Sequence, residues 1–188
     1  MLIFSIMKVY ITRHGETDWN AETKLCGSTD IPLNDRGREQ ARELADMIAS
    51  KKDELNIQYI YTSDLERAVE TASYTEKVLG IKSIQDLRLR EMDFGALEGE
   101  DWNSQEAFEV QTCAFQRFRD GESTLMVAHR AYSFLDDMIA QHKGKDENIL
   151  IVCHGIMARM LCTYFRSYKA IEFMKLDIPN CAFVEFEI

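Results

Sequence analysis

Two short apolar runs in this chain end in the same dipeptide, Val9-Tyr-Ile-Thr-Arg-His14-Gly15 and Ile149-Leu-Ile-Val-Cys-His154-Gly155. Two of the four histidines therefore follow directly on what read as buried strands, one of them beside Arg13. In open parallel sheets ligands bind outside the carboxyl ends of the strands, so both imidazoles would face one crevice if the strands are neighbours. The glycine after each histidine lets backbone approach a ligand closely. A guanidinium fork beside an imidazole suits a tetrahedral oxyanion such as phosphate, which the second histidine could clasp from the other side. Singly, each histidine would as readily cap a turn or satisfy a core hydrogen bond; the pair with Arg13 favours the oxyanion. A metal site is the competing chemistry. It is disfavoured, because a third ligand at a sensible spacing is missing and the arginine would repel a cation.

The elements that must position these residues alternate along the chain. Residues 7–12 read as a strand, followed by a long loop carrying Gly15, Gly27 and Pro32. Asn34 or Asp35 would cap a helix whose Ala41, Leu44, Ala45 and Ile48 share one face. Residues 57–62 read as strand again, and a helix from about Asp64 carries Leu65, Ala68, Ala72 and Leu79 at helical spacing, with Gly80 as its stop. Ser63 and Asp64 would cap that helix and place Arg67 in its first turn. A further strand is expected at 81–86, a glycine-containing loop at 87–100, mostly helix at 101–143, a helix at 156–165 and a closing strand at 181–188. This order predicts an α/β fold, a three-layer sandwich with a mostly parallel central sheet flanked by helices.

Composition narrows the function classes. The 188 residues suffice for one well-buried domain, and 46% are hydrophobic. With 22 Lys+Arg against 32 Asp+Glu the net charge is −10, the opposite of a nucleic-acid footprint. The five cysteines are odd in number, widely spaced and without a Cys-x-x-Cys pair, which fits a reducing cytoplasm. No run approaches the roughly 20 apolar residues that span a bilayer, and the opening Met1-Leu-Ile-Phe-Ser-Ile is too short for a signal peptide. No membrane partner is expected. Met7 is as natural a start as Met1, with the first six residues then an extension. Oligomeric state stays open, a homodimer included.

Six blocks in order carry a resemblance: Thr12-Arg-His-Gly-Glu-Thr17 with Asn20; Asp30-Ile-Pro-Leu-Asn34 with Gly37 and Gln40-Ala41; Ser63-Asp-Leu-Glu-Arg67-Ala68 with Thr71-Ala72; Leu89-Arg-Glu91 with Gly95, Glu98 and Gly99; Gly121-Glu-Ser123; and His154-Gly155. Through them the chain resembles the histidine phosphatase superfamily, which includes the cofactor-dependent phosphoglycerate mutases. The resemblance implies a single such domain over 1–188 with a short helical insert at about 100–120. It implies a nucleophilic His14, phosphate-clasping Arg13, Arg67 and His154, a supporting Asn20, and Glu91 as proton donor. Gly27, Gly155 and Glu16 are expected to touch the phosphorylated substrate as well. No metal or cofactor is called for. The chemistry agrees: two arginines beside His14 keep its imidazole neutral, prearranged cations stabilise a phosphoryl group in flight, and a carboxyl among apolar neighbours can hold a proton.

Departures from the mutases favour a hydrolase acting on a small phosphorylated metabolite. Where they follow the acid glutamate with Arg-His-Tyr, this chain has Met92-Asp93-Phe94, and between Glu98 and Gln116 it has no Lys or Arg. Glu98, Glu100, Asp101, Glu106 and Glu109 would form an acidic lid that repels a multiply charged substrate. The chain also stops after its last strand, without the tail that mutases fold over the pocket, so the site is expected to be open to water. Trp102, Phe108, Phe115 and Phe118 would line an apolar entrance or form a helix's packing face, and Cys153 reads as a core thiol. The alternatives are a phosphoglycerate mutase and an idle phospho-ligand binding protein.

Overall fold

The computed structural model describes residues 6–188; of the six-residue extension only the exposed Ile6 lies within the described residues. The chain forms β1 (Lys8–Arg13), a one-turn α1 (Asp18–Ala21), α2 (Asp35–Ser50), a short α3 (Lys52–Leu55), β2 (Ile57–Thr62), α4 (Glu66–Leu79) and β3 (Ser83–Gln85). Two 3-10 turns, Leu87–Leu89 and Gly95–Leu97, lead to α5 (Gln105–Thr112), α6 (Thr124–His142), β4 (Asn148–Cys153), α7 (Gly155–Phe165), α8 (Ala170–Lys175) and β5 (Phe183–Glu187).

The strands make one sheet in the order β3-β2-β4-β1-β5, parallel except for β5, which runs antiparallel to β1. Every position of β4 is buried because helices cover both faces, as the apolar run 149–153 predicts. Its residues divide with the strand period of two. Ile149, Ile151 and Cys153 join a core with Val9 and Ile11 of β1, Leu135 and Met138 of α6, and Met157 and Leu161 of α7. Leu150 and Val152 join the other core, with Tyr10, Leu44 and Ile48 of α2, and Ala68 and Ala72 of α4. The expected α/β three-layer arrangement is therefore the one observed.

β1 and β4 are neighbours in register, Arg13 opposite Cys153, so His14 and His154 are the next residues on adjacent strands. The helices that follow these two strands pack on opposite faces of the sheet, α2 on one and α7 on the other. That divergence opens a crevice at the carboxyl ends of β1 and β4.

Three local expectations change. The helical stretch at 101–143 is two helices, α5 and α6, because Ser123 caps α6 by accepting from the Met126 amide and Asp120 takes a φ of +60° that no helix accommodates. Residues 166–180 hold the short α8, which the sequence pattern does not mark. Gly15 serves α2 rather than a ligand: a Cβ on Gly15 would fall 2.3 Å from the Gly37 carbonyl oxygen, and one on Gly37 2.0 Å from that of Glu16. No helix among the described residues is long and apolar enough to cross a membrane.

Because backbone opposes backbone at the Gly15–Gly37 contact, Gly37→Ala is expected to lower the unfolding free energy by about 1–3 kcal/mol. Urea denaturation with an unchanged slope would show it.

Candidate active site

His14 leaves the end of β1 almost fully buried. Its Nδ1–H donates to the Gly15 carbonyl at 2.6 Å, since a carbonyl oxygen can only accept. Nε2 is then the unprotonated nitrogen, and it accepts from Arg67 Nε at 3.3 Å. Burial above all, then Arg67 and Arg13, lowers the pKa of His14 well below the ordinary 6.5. The result is a neutral imidazole with its lone pair on Nε2.

Arg67 stands in the first turn of α4, as expected, and is wholly buried. Its Nη1 donates to the Thr29 carbonyl (2.9 Å) and its Nη2 to that of Gly27 (2.6 Å). The loop carrying those carbonyls is organised by Glu98, whose carboxylate accepts the amides of Gly27 (3.1 Å), Ser28 (2.9 Å), Thr29 (3.2 Å) and Phe94 (3.0 Å). Gly27 therefore departs from its expected part. Its amide is taken by Glu98 and its carbonyl by Arg67, so it positions the arginine instead of offering a donor to phosphate. The α4 cap also differs: the same loop brings Asp30 across the helix start, where Oδ1 accepts the Glu66 amide at 2.9 Å. Ser63 Oγ accepts the Leu65 amide, while Asp64 is drawn off into an ion pair with Arg90.

His154 is the N-cap residue of α7, fully buried, with its ring 5.1 Å from that of His14. Neither of its nitrogens, nor Arg13 Nε, has a hydrogen-bond partner among the described residues. Buried unpaired donors of this kind are costly, and a phosphoryl oxygen is an acceptor that would satisfy them. Burial, then Arg67, His14 and Arg13, lowers the pKa of His154 well below 6.5. Gly155 lies between Arg13 and Glu91, where a Cβ would stand 3.6 Å from the guanidinium carbon of one and Oε2 of the other. Cys153 is a core thiol whose pKa burial raises well above the ordinary value.

Glu91 is 7% exposed, but its surroundings are not the apolar ones expected. Its carboxyl accepts the amides of Met92 (2.9 Å), Ile156 (3.0 Å) and Met157 (3.1 Å). It caps α7 in place of His154, which makes no side-chain cap bond. The helix start holds the carboxyl in the crevice because two of its orphan amides need an acceptor.

Arg13, His14, Glu91 and Gly155 line a cavity of about 400 Å³ together with Glu16, Asn20, Lys24, Cys26, Phe94, Trp102, Arg159, Lys175, Asp177 and Asn180, whereas Arg67 and His154, fully buried beside His14, are outside that lining. Asn20 forms a reciprocal cap with Thr17, and Glu16 accepts from Asn34 Nδ2 at 3.0 Å, so both are held while they face the cavity. Arg159, Lys175, Asp177 and Asn180 went unforeseen. Arg159 had a signal, a lone cation four residues after Gly155 in an apolar helix; Asn180, whose Nδ2 donates to the His14 carbonyl, had none. The wall formed by residues 174–178 means that the mouth is not simply open, as was expected.

The acidic lid is also corrected. Glu98 is occupied by four amides, Glu106 pairs with Arg119, Asp101 accepts from Asn103 and Glu109 from Gln105; among the described residues of 98–116, it is Trp102 that lines the cavity. Trp102 packs edge-on against Phe94, which packs edge-on against the buried Phe118, whereas Phe108 and Phe115 are exposed. The cations of the lining, Arg13, Lys24, Arg159 and Lys175, stand against the carboxylates Glu16, Glu91 and Asp177.

A family model for the histidine phosphatase superfamily (branch 1) matches residues 9–188. A probable phosphoglycerate mutase GpmB from Enterobacter sp. (strain 638) is 34% identical over 184 residues, covering 94% of this chain and 83% of the relative. Phosphoglycerate mutase-like protein 4 of Arabidopsis thaliana is 35% identical over 165 residues, 82% of this chain and 69% of that one. Among solved structures, Bacillus stearothermophilus YhfR superposes with a TM-score of 0.81 at 28% identity, over 95% of this chain and 90% of that one. A mycobacterial glucosyl-3-phosphoglycerate phosphatase shares the fold, with a TM-score of 0.83 at 24% identity over 97% and 90% of the two chains.

The two depressed imidazoles carry a pH signature. The unfolded chain takes up protons on them as pH falls through about 6.5 while the native protein does not, so this stability is present above that pH and is lost below it. Each contributes a slope of up to about 1.4 kcal/mol per pH unit. Urea midpoints at pH 7.5 and 5.5 are expected to fall less for His14→Gln than for the unaltered protein.

Proposed function

The chain belongs to the histidine phosphatase superfamily, and on that premise we propose that it hydrolyses a phosphomonoester of a small metabolite through a phosphohistidine on His14. The observation that carries this is the neutral Nε2 of His14, its proton held on Nδ1 by the Gly15 carbonyl and its lone pair facing Arg67. Nε2 attacks phosphorus, the N–P bond forms as the ester P–O bond breaks, and the Gly15 carbonyl supports the charge that develops on the ring. Arg13, Arg67 and His154 take the three equatorial oxygens, the arriving phosphoryl group claiming the Arg67 donor that Nε2 holds at rest. Glu91 supplies the proton to the leaving oxygen. In the second half a water attacks phosphorus and passes its proton to Glu91; the new P–O bond forms as the N–P bond breaks, the electron pair returns to Nε2, and inorganic phosphate departs. Side chains of this chain suffice for both halves.

Hydrolysis over mutation is supported by the apolar wall after Glu91, where Phe94 and Trp102 line the cavity. A second reading, phosphoglycerate mutase, is favoured by one observation and one likeness. Arg159 and Lys175 line the same cavity without a hydrogen bond or ion pair among the described residues, and such cations suit a substrate carboxylate. Curated relatives carry the mutase name.

Incubation with p-nitrophenyl phosphate in EDTA is expected to release phosphate, with kcat/KM at least about 1,000-fold lower for His14→Ala. With 3-phosphoglycerate, release of inorganic phosphate should exceed formation of 2-phosphoglycerate; the reverse would establish the mutase. Glu91→Gln is expected to lower kcat about 100-fold or more on an alkyl phosphate and much less on p-nitrophenyl phosphate, whose leaving group needs little protonation.

A further inference from the structure

Glu91 is held at its carboxyl by α7, but its backbone must be held as well, since it lies in a non-helical stretch between the two 3-10 turns. Carbonyls in such a stretch have no ladder to join and need other donors. One side chain supplies them. Arg130, from the middle of α6, donates Nη2 to the Glu91 carbonyl at 2.9 Å, Nη1 to that of Arg88 at 2.8 Å, and Nη1 also to that of Arg90.

The guanidinium is itself fixed by Glu122. Arg130 Nε donates to Glu122 Oε1 at 2.9 Å and Nη2 to Oε2 at 2.8 Å, a two-point pair in which both side chains are mostly buried. Glu122 Oε2 also accepts the Asp93 amide at 3.0 Å, and the Glu122 amide donates to the Asp93 carbonyl at 2.9 Å. The pair therefore grips the segment on both sides of Glu91. Lysine could keep the charge but not the three-carbonyl grip, because it lacks the planar fork.

We propose that Arg130, braced by Glu122, is a positioning residue for proton donation by Glu91. This rests on the reading of Glu91 as the proton donor. Arg130 touches no reacting atom; it sets where the Glu91 backbone stands, and a displacement of about 1 Å at a catalytic group can cost a hundredfold in rate.

The experiment compares phenyl phosphate with p-nitrophenyl phosphate, two esters of similar size whose leaving groups differ in their need for a proton. In the full-length protein, Arg130→Met is expected to lower kcat on phenyl phosphate about 10- to 100-fold more than on p-nitrophenyl phosphate, with KM little changed on either. Arg130→Lys should recover part of that selective loss. A general loosening of the fold would lower both substrates alike, so an equal loss, or no loss, overturns the proposal while leaving the proton donor in place. In the Glu91→Gln background, Arg130→Met should no longer alter the ratio of the two substrates, because two residues acting through one step are not additive. Full additivity would also overturn it. If Glu91→Gln alone shows no selective loss on phenyl phosphate, the proton-donor reading fails, and the proposal fails with it.

Discussion

The structure depends on keeping a guanidinium charge in its interior without a carboxylate beside it. Arg67 is wholly buried, and its donors go to an imidazole nitrogen and two backbone carbonyls. A buried charge left uncompensated is strongly destabilising, so the carbonyls of Gly27 and Thr29 must be delivered to it with good geometry. Much of the surrounding chain meets that demand: Glu98 folds the 27–29 loop, Asp30 ties the loop to the start of α4, and Thr71 links Arg67 to Gly15 through its hydroxyl. A salt bridge to Arg67 would have been simpler for stability. It would also have weakened the field that, with burial, holds His14 neutral.

The helix start at α7 makes a comparable compromise. Its orphan amides are satisfied by Glu91, from a segment 65 residues earlier, whereas the residue in the cap position, His154, contributes no side-chain bond and keeps both ring nitrogens unpaired. Stability at this terminus is thus supplied by one candidate catalytic group so that another stays available. The protein carries the cost as a buried imidazole with nothing to donate to until a ligand arrives.

What the sequence made legible was set by short-range pattern. The unbroken apolar run of β4 announced a strand covered on both faces, and the two His-Gly steps announced a shared crevice, because register between neighbouring parallel strands carries the next residue on each to the same place. The charge pattern was a poorer guide. Counting acids between Glu98 and Glu109 gives a repulsive lid, but one of those carboxylates faces four backbone amides and another faces an arginine, and nothing in the order of residues distinguishes a carboxylate turned inward from one turned to solvent. The same holds for Asp64 and Asp30. The local cap candidate was the wrong one because a loop 36 residues away supplied the acceptor. Residues 166–178 have no clear apolar periodicity, and their place beside the cavity rests on contacts with distant residues, Arg13 Nη1 donating to the Ile178 carbonyl and Arg159 standing over the Phe173 ring.

The Glu98 carboxylate, seen above as a clasp on one loop, also sets how the site breathes. The consecutive amides at 27, 28 and 29 and the distant one at 94 end on the same two oxygen atoms. Any opening that frees one strips the side chain of its geometry for the others, so these positions form a cooperative unit for hydrogen exchange that no element of secondary structure delimits. Arg67, which faces His14, is suspended from that unit through the Gly27 and Thr29 carbonyls, and the geometry of the candidate site persists only as long as the unit stays closed.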